Sequence, residues 1–136
     1  MRLHHVAYVT ENVDKKSAQL KRLMGFRTCG EQVIDPTQKV RIQFMDMGHG
    51  ELLELLEPYG ENSPVLRHLR KGGGLYHICF EVDDLLATLQ RFRESGDAIV
   101  VCEPVPAPAM GDRRVAFVVT EDRDLIEFVE AIPNGK

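Results

Sequence analysis

The chain repeats itself. His5 and His77 stand 72 residues apart, Gly25 and Gly96 71, Phe44 and Phe117 73, and Glu54 and Glu127 73. A register that holds within two residues over this distance marks two copies of one supersecondary unit. With 136 residues in all, the copies are small enough to need a shared core. The repeat predicts one functional domain built from two modules.

Each copy reads β-α-β-β-β. In the first, Leu3 to Val9 alternates as a strand, with His5 on the face of Leu3, Ala7 and Val9. Asp14 to Met24 has Ala18, Leu20, Leu23 and Met24 at near-helical spacing, and Gly25 supplies a C-terminal stop. Strands follow over Phe26 to Ile34, Lys39 to Met47 and Glu51 to Glu57. Asp35-Pro36-Thr37 and Met47-Gly48-His49-Gly50 are the turns between them. A short helix is expected over Val65 to Lys71, with Ser63 as N-cap and Pro64 at the first helical position, stopped by Gly72-Gly73-Gly74. The second copy opens on Leu75 to Val82. Asp83 or Asp84 caps a helix with a Leu85, Leu86, Leu89, Phe92 stripe that ends at Gly96. Strands are expected over Ile99 to Glu103, Arg113 to Thr120 and Asp124 to Ala131, with Pro104 to Asp112 an irregular loop. The modules therefore span 1–58 and 75–131, with a linker at 59–74 and a frayed tail at 132–136, and the fold class is α+β.

Totals exclude several function classes. A formal charge of −4, with no basic cluster beyond Arg113-Arg114, argues against nucleic acid as a partner. No apolar run reaches the roughly 18 residues of a membrane span. Met-Arg-Leu-His-His at the N-terminus has no signal-peptide apolar region. Three cysteines without CxxC spacing, Cys29, Cys79 and Cys102, point away from a disulfide framework and toward the reducing cytoplasm.

Chemistry enters with the paired residues. Each module places a histidine on its first strand and a glutamate on its last, 49 residues apart in one copy (His5, Glu54) and 50 in the other (His77, Glu127). Both glutamates are flanked by apolar residues on their own face: Leu52 and Leu56 around Glu54, Leu125 and Val129 around Glu127. A carboxylate in that setting is costly unless paired or bound to a cation. Two imidazoles and two carboxylates make a ligand set for a divalent ion, so His5, Glu54, His77 and Glu127 are the predicted metal ligands. His4 points to the other face, while His49 in a glycine turn and His68 on a short helix read as surface residues. Glu51, Glu57, Glu81 and Glu130 read as a solvated face, and Cys79 as a small core residue.

These segments resemble the vicinal oxygen chelate superfamily of glyoxalase I, methylmalonyl-CoA epimerase, extradiol dioxygenases and bleomycin-resistance proteins. The carrying stretches are Leu3 to Val9, Glu51 to Pro58, Glu61 to Pro64, Gly74 to Asp84, Arg114 to Phe117 and Leu125 to Glu130. They look most like the methylmalonyl-CoA epimerase and lactoylglutathione-lyase-like branch. The resemblance implies tandem βαβββ modules whose curled sheets form a cup over a divalent metal (zinc, nickel, cobalt or manganese). It assigns the same four ligands. Glu127 and Glu54, on opposite sides of such a site, are the candidate acid–base pair on the chemistry of partly buried carboxylates. The resemblance implies an isomerase or epimerase that removes a proton next to a chelated carbonyl of a small-molecule or acyl-thioester substrate. The alternatives are a glyoxalase I-like lyase and a metal-free, bleomycin-resistance-type binding protein. Relatives of this kind commonly form homodimers. The chain departs from the epimerase pattern in having Glu54 where Gln is frequent and Thr120 to Asp124 where His-Pro-Lys is usual. Arg41, Ile42 and Gln43 stand where bacterial epimerases carry a catalytic glutamate.

Overall fold

The computed structural model describes residues 1–132, so the predicted tail from Pro133 onward lies outside the described residues. By their contacts residues 5–76 form one unit, and residues 1–4 with 77 onward form another.

In the first unit the elements run β1 (Arg2–Val9, of which residues 2–4 belong to the second unit), α1 (Val13–Met24), β2 (Arg27–Asp35), β3 (Val40–Asp46), β4 (Leu52–Pro58) and α2 (Leu66–Arg70). Strand β1 lies parallel to β4, which is antiparallel to β3, which is antiparallel to β2. One face of this sheet carries Val6, Tyr8, Met45, Leu53 and Leu55 against Val13 and Leu20 of α1. The other face carries His5, Ala7, Phe44, Glu54 and Leu56, all buried.

The second unit contains β5 (Gly74–Val82, of which residues 74–76 belong to the first unit), α3 (Leu85–Ser95), β6 (Ala98–Ala107), β7 (Arg113–Thr120) and β8 (Leu125–Glu130). Its pairing copies the first: β5 parallel to β8, then β7 and β6 antiparallel in turn. Leu85, Leu89 and Phe92 of α3 pack on Phe80, Val82, Ala116, Val118, Ile126 and Phe128. The α+β class and the two βαβββ modules are thus those the repeat predicts. Among the described residues no helix is long and apolar enough to cross a membrane.

Helix starts and stops follow local chemistry. Asn12 accepts from the Lys15 amide at 2.9 Å and Asp84 from Ala87 at 2.9 Å, while Gly25 and Gly96 take the left-handed conformation that ends each helix. The buried faces differ from the expected stripes. In α1 the covered residues are Val13, Ser17 and Leu20, with Leu23 and Met24 exposed; in α3 Leu86 turns outward and Thr88 takes the inner place. A stripe about 100° wide admits only part of each apolar set, and the sheet decides which part.

Two other expectations change. Ser63 does not cap α2; its hydroxyl donates to the Lys39 carbonyl at 2.6 Å, and Val65 precedes the helix without a side-chain cap. Pro104 and Pro106 do not end β6, which runs on to Ala107 before a 3-10 turn at Pro108–Met110. β6 pairs with β7 on one side and shifts register around Cys102, and an edge strand with bulges tolerates residues that lack an N–H.

Gly73 has a tighter role than helix stop. Its φ is +69°, and a Cβ there would lie 2.8 Å from the Val9 carbonyl oxygen. Gly73→Ala is therefore expected to lose about 1–3 kcal/mol of stability, read from the urea midpoint, because backbone strain and a backbone clash add.

Candidate metal centre

The pairing registers put each histidine beside its glutamate. In the first unit Ala7 is opposite Glu54 and His5 opposite Leu52, so the imidazole reaches diagonally toward the carboxylate on the same face. Nε2 of His5 lies 3.2 Å from Oε1 of Glu54, with the side chains 0% and 5% exposed. In the second unit Cys79 is opposite Glu127, and Nε2 of His77 lies 3.1 Å from Oε1 of Glu127, with 3% and 5% exposure. Ala7 and Cys79 are both fully buried, and being small they leave room for the neighbouring carboxylate.

Each pair fits a divalent ion. Nitrogen and oxygen ligands sit about 2.0–2.2 Å from zinc or a similar metal, so two of them at a right or tetrahedral angle are roughly 3.0–3.4 Å apart. Both observed separations, 3.2 and 3.1 Å, fall in that window. One imidazole and one carboxylate per pair also suit a cation of borderline hardness. Among the described residues, the predicted ligands are thus brought together two by two inside their own modules.

A third side chain completes each pair. Phe44 is opposite Glu54 across β3 and β4, and its ring meets that of His5 with centroids 5.2 Å apart at 78°. Phe117 is opposite Glu127 across β7 and β8, and meets His77 at 5.3 Å and 80°. The sequence marked these phenylalanines only as repeat positions. Antiparallel register, which the sequence does not print, makes them neighbours of the histidines.

The remaining candidates take other roles. His49 sits in an exposed turn with φ 55°, and His68 packs its ring 5.0 Å from that of Tyr76, whose hydroxyl pKa is pushed up by burial. Three of the four glutamates assigned to a solvated face are engaged. Glu57 accepts the Val13 amide at 2.9 Å and pairs with Arg41 at 3.3 Å, which anchors the start of α1. Glu130 is its counterpart in the repeat and pairs with Arg114 at 3.1 Å. Glu81 shares the His77 face and lies between Arg2 and Arg113. Burial alone would raise the Glu81 carboxyl, but hydrogen bonds and charge from Arg2 and Arg113 outweigh it and hold its pKa below the ordinary value. A depressed folded-state pKa contributes stability above the unfolded value, and that contribution is lost as pH falls through the folded one. Glu81→Gln should therefore be less stable than the parent at pH 7, with the gap closing as the pH drops below about 4.3. Urea unfolding across that range measures it.

Comparison with known proteins bears on this arrangement. Residues 4–117 match the family model described as Glyoxalase/Bleomycin resistance protein/Dioxygenase superfamily. Ethylmalonyl-CoA/methylmalonyl-CoA epimerase of Cereibacter sphaeroides is 35% identical over 101 residues, 73% of this chain and 74% of that protein. The mitochondrial methylmalonyl-CoA epimerase of Bos taurus is 35% identical over 95 residues, and the chain spans about half of it, 53%. The crystal structure of methylmalonyl-CoA epimerase from Mycobacterium tuberculosis superposes with a TM-score of 0.84 at 25% identity, covering 97% of this chain and 89% of that one. With its repeated βαβββ modules and a matching stretch that includes both histidines, the chain belongs to the glyoxalase/bleomycin resistance protein/dioxygenase superfamily.

Proposed function

We propose that the protein is a metal-dependent epimerase of the methylmalonyl-CoA epimerase type, acting on the carbon next to an acyl-thioester carbonyl. The observation that carries this reading is the duplicated buried pair, His5 with Glu54 and His77 with Glu127. These four side chains would hold one divalent ion. When bound, the ion supplies a Lewis acid for the substrate carbonyl and lowers the cost of forming an enolate. Epimerase relatives support the substrate class.

The chain's own groups then have the proton work. A glutamate that let go of the ion would be, among apolar side chains, a stronger base than one in water, because burial disfavours its charged form. Glu127 stands opposite Phe117 with Leu125 and Val129 on its own face, and Glu54 opposite Phe44 with Leu52 and Leu56 on its own. In this reading one carboxylate takes the proton from the carbon and the other returns a proton to the opposite face. Inversion needs such a pair, and the repeat supplies one glutamate per module. Ile42 and Gln43, both buried on β3, carry no titrating group, so the proton work falls on Glu54 and Glu127.

Glu54 also favours a second reading. A carboxylate in that place is what the resemblance associates with glyoxalase I, where the proton returns to the neighbouring carbon and the product is a lactoyl thioester. Incubation in deuterated water with methylmalonyl-CoA or with a glutathione hemithioacetal, each with zinc, cobalt, nickel or manganese, separates the two. The epimerase reading expects deuterium at C2 of the acyl-CoA; exchange with neither substrate under any metal overturns both.

A further inference from the structure

Phe44 and Phe117 have no part in the chemistry so far described, yet they are placed by the same geometry twice. Each sits on the strand next to the glutamate strand, directly opposite the glutamate, with its ring on the histidine. The two ring separations differ by 0.1 Å and the two interplanar angles by 2°. The modules diverge elsewhere: Ile42 is matched by Val115, and Ala7 by Cys79. An aromatic ring retained in both copies at such similar geometry points to a requirement at the histidine, not to core filling alone.

The physical requirement is orientation. An imidazole on a strand has two broad ring positions about χ2, and only one aims Nε2 at the glutamate. A phenyl ring nearly perpendicular to it, in the edge-to-face arrangement aromatic pairs prefer, crowds the path through which the imidazole would turn over. With the carboxylate at Nε2 and the phenyl ring on its flank, the imidazole is held from two sides.

We infer that Phe44 and Phe117 are positioning residues that lock the imidazoles of His5 and His77 with Nε2 toward Glu54 and Glu127, and so preorganise the two half-sites for a divalent ion. The metal part of this inference rests on the reading proposed above; the ring-locking part does not.

The test uses the full chain with Phe44→Leu and Phe117→Leu, and Phe117→Tyr as the variant that keeps the ring. Cobalt(II) is the probe, titrated by its visible absorption, and imidazole C–H proton resonances are recorded on the metal-free protein. Folded leucine variants should bind cobalt about tenfold or more weakly, within the range seen when groups that orient metal ligands are lost. In their metal-free form the nuclear Overhauser contacts of the His5 or His77 Hδ2 and Hε1 protons should show both χ2 orientations populated, whereas the parent and Phe117→Tyr should show one, and Phe117→Tyr should keep the parental cobalt affinity. Where a leucine variant does not fold, the methionine variant at the same position is read in its place. Cobalt affinity within about twofold of the parent in the folded variants overturns the inference. If the parent itself binds no cobalt, the metal reading fails, and the metal-free nuclear Overhauser contacts alone decide whether the rings are locked: a single retained imidazole orientation in the leucine variants overturns the locking.

Discussion

Glu127→Gln should lower the rate of deuterium incorporation at C2 of one epimer of methylmalonyl-CoA, the one whose proton Glu127 removes, by about 10²–10⁴-fold, the range expected when a positioned general base is lost. The substitution keeps size and shape but removes the charge, so a wild-type fold by circular dichroism is expected alongside the loss. Glu54→Gln is the informative partner. If the two carboxylates serve opposite faces, Glu54→Gln should still exchange the proton of one epimer while failing to invert it, and Glu127→Gln should do the same for the other. Proton nuclear magnetic resonance on each epimer separately reads this split. Equal, mild losses in both variants would mean that neither glutamate is the base.

Metal loading should have the second large effect, this time on stability. An ion that binds only the folded chain stabilises it by about 2.7 kcal/mol at a free concentration one hundred times its Kd. For a chain of this size that corresponds to roughly 10 °C in Tm. His5→Ala and His77→Ala should each abolish most of the rise, because each removes half of the nitrogen ligands. Their metal-free melting temperatures should fall less than that of a core variant such as Leu55→Ala, whose side chain is fully buried. Scanning calorimetry with and without cobalt or zinc distinguishes the cases. A parent protein whose Tm ignores every divalent ion tested would overturn the metal-dependent reading.

Much of the site was legible before any coordinates, and the reason is duplication. One histidine on an apolar strand says little, since buried histidines are often merely satisfied. Two histidines and two glutamates at offsets of 72 and 73 residues say more, because strand alternation then places both members of each pair on inward faces. The observed His5–Glu54 and His77–Glu127 approaches follow from that pattern. The same alternation argument fell short at Glu81, which lies two alternations beyond His77 on its own face and is held by Arg2 and Arg113. Ion pairs between distant strands leave no local trace in sequence. Leu86 and Leu23 misled for a related reason: a leucine is apolar whether or not a sheet covers it.

What the sequence alone determined is what local chemistry and repetition determine: two βαβββ modules, helix limits at Asp84, Gly25 and Gly96, and the identity of the paired His and Glu residues. Capping bonds, positive φ and period-two alternation act over a few residues, so a linear string carries them. Tertiary structure alone decided which residue stands opposite which. Phe44 against Glu54, Phe117 against Glu127, the extension of β6 through two prolines and the approach of Gly73 to Val9 all depend on strand register and edge position. Register is set by the summed packing of whole sheet faces, a long-range quantity that no single stretch of the chain contains.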